Sequence, residues 1–309
     1  MSTLKVDTIT KADGTGSLSV PAESGTVVTT ASPSLGRRNL IINGDFQVSQ
    51  RGDYTSATSL TNGAYTLDRW TCTNGVGATI QHRSDMPTGE YGKSVKVLTS
   101  SGGTLQCALE QRIEVADWMK GKSVTATVWM RSNSSNSSIN FYNNIGGFDT
   151  PVSHSGNEQW EKLTIQTTFP TGSLTDLRLR IGLSQGGNTS ITSGDYFEIA
   201  QVQLEVGSVA TPFEHRSYGE ELALCQRYYA TGRSTLTFNG VSGRYVYKTI
   251  GRHNMRSAPT VTGSFASQGL GTVNSWGQAS VNDNRQIYVQ MAVGSGGDGD
   301  FTYYADAEL

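Results

Sequence analysis

Apolar and polar residues alternate along much of this chain. Apolar side chains occupy every second position between residues 124 and 130, and again between 177 and 183 and between 202 and 206. A period of two residues predicts strands that bury one face. The segment NLIINGDFQV, residues 39–48, predicts a further strand that breaks at Asn43-Gly44. Many short strands separated by Ser-, Asn- and Gly-rich turns favour an all-β antiparallel sandwich, a jelly roll, over an α/β fold.

One helix interrupts this β pattern. Ser217 followed three residues later by Glu220 is a capping-box pair, in which each side chain satisfies a backbone N–H that the helix start leaves free. Acidic residues in the first turn and Arg227 near the end suit the helix dipole. Gly232 lies beyond them as a stop. The pattern predicts a helix over residues 217–230, between two β-rich regions.

The predicted helix carries an apolar stripe. Its members are Tyr218, Leu222, Cys225 and Tyr229, at intervals of four, three and four residues. This spacing is close to the 3.5-residue repeat of a coiled coil, and it is equally that of an ordinary amphipathic face. Two interpretations follow. Either three copies of the helix meet at the axis of a homotrimer, or the helix lies on the sheet of its own chain.

Four regions follow from these patterns. Residues 1–35 contain too few large apolar residues to close a core, and they form an N-terminal segment. Residues 36–216 form the jelly roll, residues 217–230 the helix, and residues 231–309 a C-terminal β domain with strand-like runs. That last region is small and rich in Gly and Ser, so we expect association between chains to supply the burial it lacks.

The composition excludes several classes of function. Charged residues make up only 16% of 309 residues and the net charge is −2, with no basic tract to neutralise nucleic-acid phosphates. No apolar run is long enough to insert into a membrane as a helix. The three cysteines lie far apart, which predicts neither a disulfide framework nor a zinc site. They are interpreted as small buried residues of a protein made in a reducing compartment.

No sequence motif predicts catalysis. The chain lacks the GxSxG, Walker and dinucleotide-binding patterns, and its histidines have no metal-ligand spacing. We therefore predict no enzyme activity and no cofactor. A carboxylate pair that cleaves glycosides stays open, because its geometry depends on folding. The tripeptide Arg51-Gly52-Asp53 is interpreted as a turn rather than a receptor-binding sequence.

Two motif groups resemble a known family. The first is NGDFQ, QRG and DRW within residues 39–70, and the second is LEVGSVATPFEHRSYGEELALCQRYY at residues 204–229. Together they resemble bacteriophage tail fibres and related virion proteins that contain a jelly roll similar to a carbohydrate-binding module. The opening, MSTLKVDTITKADGTGSLSVPAESGTVVTT, is similar to N-termini of fibre proteins of phages that infect aquatic bacteria. The resemblance covers residues 1–230, and the remaining residues match no known motif.

This resemblance implies a virion component, usually trimeric, that assembles in the host cytoplasm. The N-terminal segment would attach to other virion proteins, with Leu4, Val6 and Ile9 as candidate contacts. The C-terminal domain would form a distal knob that contacts host glycan or another receptor. Candidate contacts there are Trp276, Tyr288, Tyr303 and Tyr304, for which packing between subunits is an equal alternative. Two alternatives remain: a head fibre or capsid decoration protein without receptor function, and a bacterial carbohydrate-binding module.

Glycan binding normally uses exposed aromatic rings beside polar side chains. In the jelly roll the candidates are Trp118, Trp129, Phe141, Tyr142 and Phe148, whereas Trp70 and Trp160 are expected in the core. Trp129 points opposite to Val128, so we expect it to face outward or a neighbouring chain. The resemblance also leaves open a structural Ca²⁺ held by Asp45 and Glu198, although two carboxylates do not define a site.

Overall fold

The computed structural model describes residues 9–10, 17–18, 38–104, 106–183, 190–238, 244–252, 254–267, 272–279, 286–295 and 297–309. The chain divides into two compact units, Met1–Arg37 and Arg38–Leu309. In the first unit, strands β1 (Ile9–Thr10) and β2 (Ser17–Leu18) pair in antiparallel fashion. Among the candidate attachment residues, Ile9 lies in β1, whereas Leu4 and Val6 lie outside the described residues.

Two antiparallel sheets form a sandwich in the second unit. The β13 sheet contains, in order, β10 (Gly147–Phe148), β9 (Ser137–Asn143), β13 (Leu177–Leu183), β7 (Cys107–Arg112) and β4 (Thr71–Asn74), with β11 (Val152–Ser153) also paired to β9. The β8 sheet contains β12 (Glu161–Thr168), β8 (Ser123–Ser132), β14 (Tyr196–Val206), β6 (Ser94–Thr99), β5 (Ala78–Arg83) and β3 (Thr58–Ser59). A short 3₁₀ turn spans Asp117–Met119. The predicted all-β sandwich is confirmed.

The core lies between the two sheets. Val128 and Met130 of the β8 sheet and Leu179 and Ile181 of the β13 sheet are fully buried in one apolar cluster. Each such side chain contributes about 1.5–3 kcal/mol relative to an exposed one. Trp70 also lies in this core, as expected, and its indole N–H donates to a backbone carbonyl at 3.0 Å. The period-two pattern therefore reports which face of each strand is buried.

Strand β14 departs from the predicted half-buried strand because both of its faces are covered. Val202 and Leu204 are fully buried, as the alternation predicts, but Gln203 and Glu205 are buried as well. The segment after the strand folds back over this polar face. The Glu205 carboxylate accepts the backbone N–H of Thr211 at 2.8 Å, and Gln203 accepts that of Glu214 at 2.8 Å.

The strand predicted over residues 39–48 does not form. The backbone at Asn43 takes a left-handed conformation, with φ at 59°. The Asn43 side chain accepts the N–H of Val48 at 2.9 Å and donates to its carbonyl at 2.8 Å, so it closes a local loop instead of continuing a strand. The segment is nevertheless tied to β14, because Gly44 accepts the backbone N–H of Val202.

The helix α1 spans Tyr218–Cys225 and is shorter than the predicted 217–230. Its start agrees with the prediction: Ser217 is the N-cap and forms the capping box with Glu220. Its end does not, because the backbone N–H groups of residues 227 and 228 close a tight turn onto the last helical carbonyls. Strand β15 (Tyr229–Phe238) begins directly afterwards and pairs along its whole length.

Gly232 is a residue of β15 and not a helix stop. It lies opposite Tyr303, and a Cβ atom at position 232 would come within 2.7 Å of the tyrosine ring. The glycine therefore makes room for an aromatic side chain that crosses the sheet.

Two further three-stranded sheets complete the chain. The β20 sheet has the order β15, β20 (Gly297–Asp306), β17 (Thr260–Ser267), and the β19 sheet has the order β16 (Arg244–Arg252), β19 (Gln286–Ser295), β18 (Thr272–Ala279). The central strands β19 and β20 are separated in sequence by residue 296 alone. On the β20 sheet, Phe301, Tyr303 and Ala305 form a buried apolar face.

Candidate functional site

Residues of the two motif groups, 39–70 and 204–229, meet in one contact region. We call this region the joint, because it holds the C-terminal strands on the sandwich. The Arg51 guanidinium stacks on the rings of Tyr65 and Tyr229, at 4.7 and 3.7 Å, and pairs with Asp306 and Glu308. Because this arginine is largely buried in ion pairs, Arg51 of the Arg51-Gly52-Asp53 tripeptide has a structural role, whereas Gly52 and Asp53 are exposed.

Arg69 of the DRW motif completes the joint. Its guanidinium lies 3.6 Å from the Tyr228 ring, pairs with Glu308 and donates to the Arg112 carbonyl at 2.7 Å. Burial raises the pKa of Glu308, and the two arginines oppose that rise. The paired motifs thus explain how the end of β20 is fixed to the sandwich.

The apolar stripe of α1 is divided between its own chain and solvent. Cys225 and Tyr229 are buried within the chain, Leu222 is half-buried and Tyr218 is exposed. The helix faces the sandwich with Glu221, whose carboxylate accepts the backbone N–H of Asn43. Half of the stripe is therefore covered without a partner chain, and the trimer stays a prediction.

All three cysteines are free and buried, as expected. Burial raises the pKa of the Cys225 thiol well above its usual range. These residues pack in the protein interior.

The distal contact candidates separate into different environments. Tyr303 is only 4% exposed on the apolar face of the β20 sheet, so it is corrected from a contact residue to a packing residue. The adjacent Tyr304 is 41% exposed on the opposite face, between Thr231 and Thr262. Trp276 lies in β18 and Tyr288 in β19, but their side chains lie outside the described residues.

The outer face of the β13 sheet brings together a cluster that we call the arginine–aromatic face. Its members are Glu110 of β7, Tyr142 of β9, Phe148 of β10, and Arg178 and Arg180 of β13. Strand register places Arg178 opposite Tyr142 and Arg180 opposite Glu110. Because the residues between them point into the core, this cluster is directed to the outside of the sandwich.

Aromatic rings and guanidinium groups contact one another on this face. The rings of Tyr142 and Phe148 lie 5.0 Å apart with an angle of 56° between their planes. The guanidinium carbons of Arg178 and Arg180 lie 5.1 Å from the Tyr142 ring and 4.9 Å from the Phe148 ring. Phe148 remains 43% exposed, so an aromatic surface stays accessible beside the charges.

Ion pairs fix the two arginines. Glu110 contacts Arg178 Nη1 at 3.1 Å and Arg180 Nε at 3.0 Å, the second contact not being aligned as a hydrogen bond. The Nε–H of Arg178 is shared between the two carboxylate oxygens of Asp176, each at 3.0 Å, and its Nη2 donates to the same carboxylate at 2.5 Å. These bonds raise the pKa of Arg178, whereas burial lowers that of Arg180. Burial alone would raise the pKa of Asp176, but the bonds and charge of Arg178 hold it below its usual range.

One polar group on this outer face has no partner. Asn140 lies opposite Arg180 in the strand register and is fully buried. Neither the oxygen nor the nitrogen of its side-chain amide has a hydrogen-bond partner among the described residues. Leaving such a group unpaired costs about 1–3 kcal/mol. The unpaired amide lies beside the charged cluster, opposite Arg180.

A cavity of about 530 Å³ adjoins this face at the ends of β7 and β13. Its walls are partly charged and partly apolar. They are formed by Arg112, Ile113, Glu114, Val115, Leu174, Thr175, Asp176, Leu177, Arg256 and Leu309. The volume lies within the range of small-molecule sites, about 300–1,000 Å³.

The two candidate calcium ligands have other partners. Glu198 is fully buried and accepts from Ser94 Oγ at 2.7 Å and from Arg131 Nη2 at 2.6 Å. Asp45 accepts from the Gln47 side chain at 2.8 Å, and burial raises its pKa. Within the described ranges, no three His, Cys, Asp or Glu residues lie close enough to hold a metal ion. In the same part of the chain, no helix is long and apolar enough to cross a membrane.

Sequence reasoning located some of these residues and missed others. Trp129 faces outward between buried neighbours, as predicted. The expectation that Trp160 lies in the core is wrong, because its ring is half-buried beneath the Arg131 guanidinium. Phe141 is a core residue, and no sugar-contact role remains for it. The outward direction of Arg178 and Arg180 was visible in the alternation, but their carboxylate partners were not.

No protein-family model matches this chain, and no curated protein sequence matches it. Among solved structures, the enzymatically active domain of bacteriophage CBA120 tailspike protein 4 is 14% identical, with a TM-score of 0.35, over 55% of this chain and 21% of that one. TmCBM61, in complex with β-1,4-galactotriose, is 13% identical with a TM-score of 0.35, over 55% of this chain and 100% of that one.

The CBM22-1 xylan-binding domain of Paenibacillus barcinonensis Xyn10C is 12% identical with a TM-score of 0.32, over 52% of this chain and 99% of that one. This chain thus spans about a fifth of the tailspike domain. At these TM-scores the sandwich assignment rests on the strand order and register of the chain itself.

Proposed function

We propose that this chain is a non-enzymatic, adhesive fibre protein of a bacteriophage virion, and that it binds glycan through the arginine–aromatic face. The observation that carries the glycan proposal is the exposed Phe148 ring and its neighbour Tyr142, set beside charges that ion pairs hold in place. The motif resemblance of residues 39–70 and 204–229 supports the virion assignment. Residues 1–35 attach the fibre to the particle, and the C-terminal β domain, with Tyr304 exposed, adds a distal contact.

The chemistry of this face suits a sugar. Aromatic rings stack on the C–H side of a pyranose, while fixed polar groups bond to its hydroxyls. A guanidinium held by carboxylates needs little reordering when the ligand arrives, which lowers the entropic cost of binding. Single sites of this kind are weak, at about −4 kcal/mol for a millimolar Kd. Three copies in one fibre would raise the overall avidity without any new contact.

The same ion pairs support a binding role over a catalytic one. Glycoside cleavage needs one carboxyl group that carries a proton for the leaving oxygen. Asp176 has a lowered pKa because it is bound to Arg178, so it stays ionised at neutral pH. Glu110 lies between two arginines. Neither group is placed as a general acid.

Substitution of the aromatic pair tests the glycan proposal. We expect Tyr142→Ala and Phe148→Ala each to weaken binding about tenfold, since an aromatic contact of this size is worth roughly 1.4 kcal/mol. Binding is measured first on an array of bacterial surface glycans and then by titration with the best binder. Tyr91→Ala is the matched control, because that tyrosine is 79% exposed in the loop between β5 and β6 of the other sheet. If both variants bind as tightly as the wild type, the face is not the glycan site.

Native mass spectrometry tests the fibre assignment. We expect a mass of three chains, and we expect Leu222→Asp to dissociate the assembly because it places a charge in the apolar stripe. Ala223→Asp is the control, since residue 223 is exposed and lies outside the stripe. Circular dichroism checks that both variants keep their fold. A wild-type mass of one chain at micromolar concentration, together with glycan binding, would favour a bacterial carbohydrate-binding module instead.

A further inference from the structure

The outer face of the β8 sheet carries a second aromatic cluster, here called the tryptophan face. Trp129 belongs to β8, and Trp160 directly precedes β12. Strand register pairs Trp129 with Lys162, so the same register continued by two residues places Trp160 beside Arg131. The two indoles are therefore diagonal neighbours on adjacent strands, within reach of one another.

The tryptophan face is separate from the arginine–aromatic face. The two sheets of a sandwich pack with their inner faces together, so their outer faces look in opposite directions. Val128 and Met130, on either side of Trp129 in the chain, point into the core and are fully buried. The Trp129 ring is consequently directed outward, and both indoles are partly exposed.

Both indoles lack a hydrogen-bond acceptor. The Nε1 atoms of Trp129 and Trp160 are shielded from solvent and have no partner among the described residues. Buried indole N–H groups usually find an acceptor, and one left unpaired costs about 1–3 kcal/mol. A hydroxyl or ring oxygen that reached these atoms after a small shift of the rings would remove that cost. The face therefore has apolar surface together with unused donors.

The cations that contact aromatic rings on this face already have partners, whereas Lys162, opposite Trp129, is exposed to solvent. The Arg131 guanidinium lies 5.1 Å from the Trp160 ring and donates to both Glu198 and Asp85 at 2.6 Å. Lys96 Nζ lies 3.8 Å from the Tyr196 ring, on the next strands of the same face. Because Arg131 and Lys96 each have a carboxylate or an aromatic ring as a partner, and the Lys162 ammonium is hydrated, the face does not require an anionic ligand. Neutral molecules that offer hydroxyl acceptors and a C–H surface match it best.

We infer that the tryptophan face is a second glycan site, one that takes neutral polysaccharide. The inference extends the proposed adhesive function but uses none of the residues of the arginine–aromatic face. With sites on opposite sides of the sandwich, a single chain holds two glycan strands at once. A fibre would then adhere to a polysaccharide layer along its sides.

Indole N–H resonances provide a direct test. The chain contains five tryptophans, and each gives one indole peak in a ¹⁵N–¹H spectrum, assigned with single Trp→Phe variants. The probes are neutral hexasaccharides of β-1,4-linked xylose, glucose and galactose, with an alginate hexasaccharide as the carboxylated comparison. We expect a neutral hexasaccharide to shift the peaks of Trp129 and Trp160 and to leave unchanged that of Trp70, which is buried and bonded to a backbone carbonyl.

The variants separate this inference from the proposed function. Trp129→Phe and Trp160→Phe keep a ring and lose the N–H, and we expect at least a tenfold weaker affinity at this site. Tyr142→Ala should leave the shifts of Trp129 and Trp160 intact. If those two peaks do not move with any neutral probe, or move only with alginate, the inference is overturned. Binding that is lost in Tyr142→Ala and unaffected in both tryptophan variants overturns it as well, while leaving the proposed function in place.

Discussion

Replacement of Arg69 by alanine is expected to lower the free energy of unfolding by about 3–5 kcal/mol, the range for breaking a buried ion pair. The Arg69 side chain is 2% exposed and pairs with Glu308, which is 4% exposed. It also bonds to the Arg112 carbonyl and stacks on Tyr228. All of these contacts join the sandwich to the C-terminal strands, so the loss should detach the end of β20.

The effect of Arg69→Ala should depend on pH. The pKa of Glu308 is raised above its ordinary value of 4.5 because the carboxyl is buried. A carboxyl with a raised pKa in the folded state binds protons more tightly there than in the unfolded chain. The free energy of unfolding therefore falls as the pH rises from about 4.5 through the pKa of Glu308 in the folded protein. Without Arg69 the Glu308 carboxylate loses a neighbouring positive charge, so the pKa of Glu308 rises further. Urea unfolding at pH 5 and pH 7.5 should therefore show the larger loss at pH 7.5.

Arg227→Ala is the matched control for this prediction. Arg227 also pairs with a glutamate, Glu114, at 3.2 Å, but the two side chains are 41% and 44% exposed. An exposed pair contributes about 0–1 kcal/mol. Equal losses of stability for the two variants would show that the joint does not depend on the buried arginine.

The strands of the sandwich were predictable because their pattern is local. In β8 and β13 one face meets the core and the other does not, so alternation along a few residues is sufficient to identify them. The conformation of residues 39–48 is determined differently. Asn43 is held by its own side chain and by Glu221, a residue 178 positions away. No local pattern reports such a contact, so the apolar residues around Asn43 predict a strand that does not form.

In the candidate site, too, the local pattern predicts the direction of the side chains but not their distant partners. Alternation indicated that Arg178 and Arg180 face away from the core. Their contact with Glu110 depends on the order β9–β13–β7, which brings residues about 70 positions apart into register. In the β20 sheet, sequence could not decide which of Tyr303 and Tyr304 faces inward. The one indication in the sequence is Gly232, which lies opposite Tyr303 in the sheet. A glycine at such a position leaves room for the ring of the residue it faces.

Gly44→Ala is expected to cost about 3 kcal/mol, although it adds a single methyl group. A Cβ atom at position 44 would overlap the carbonyl oxygen of Val202 and would lie 3.3 Å from the Asn39 amide nitrogen. Val202 belongs to the central strand β14, and its N–H donates to the Gly44 carbonyl at 2.8 Å. The two backbones would have to separate. Overpacking costs about 1–3 kcal/mol, and the lost hydrogen bond adds about 1 kcal/mol.

The same substitution at Gly219 should have the opposite sign. A Cβ atom there meets nothing within 4 Å, and the residue lies inside α1, where alanine is favoured over glycine by about 0.5–1 kcal/mol. Thermal unfolding of both variants measures the contrast. A Gly44→Ala protein as stable as the wild type would mean that the loop after Asn43 does not pack against β14. The first motif of the resemblance would then need another explanation, since the approach to Val202 is the physical reason for a glycine in NGDFQ.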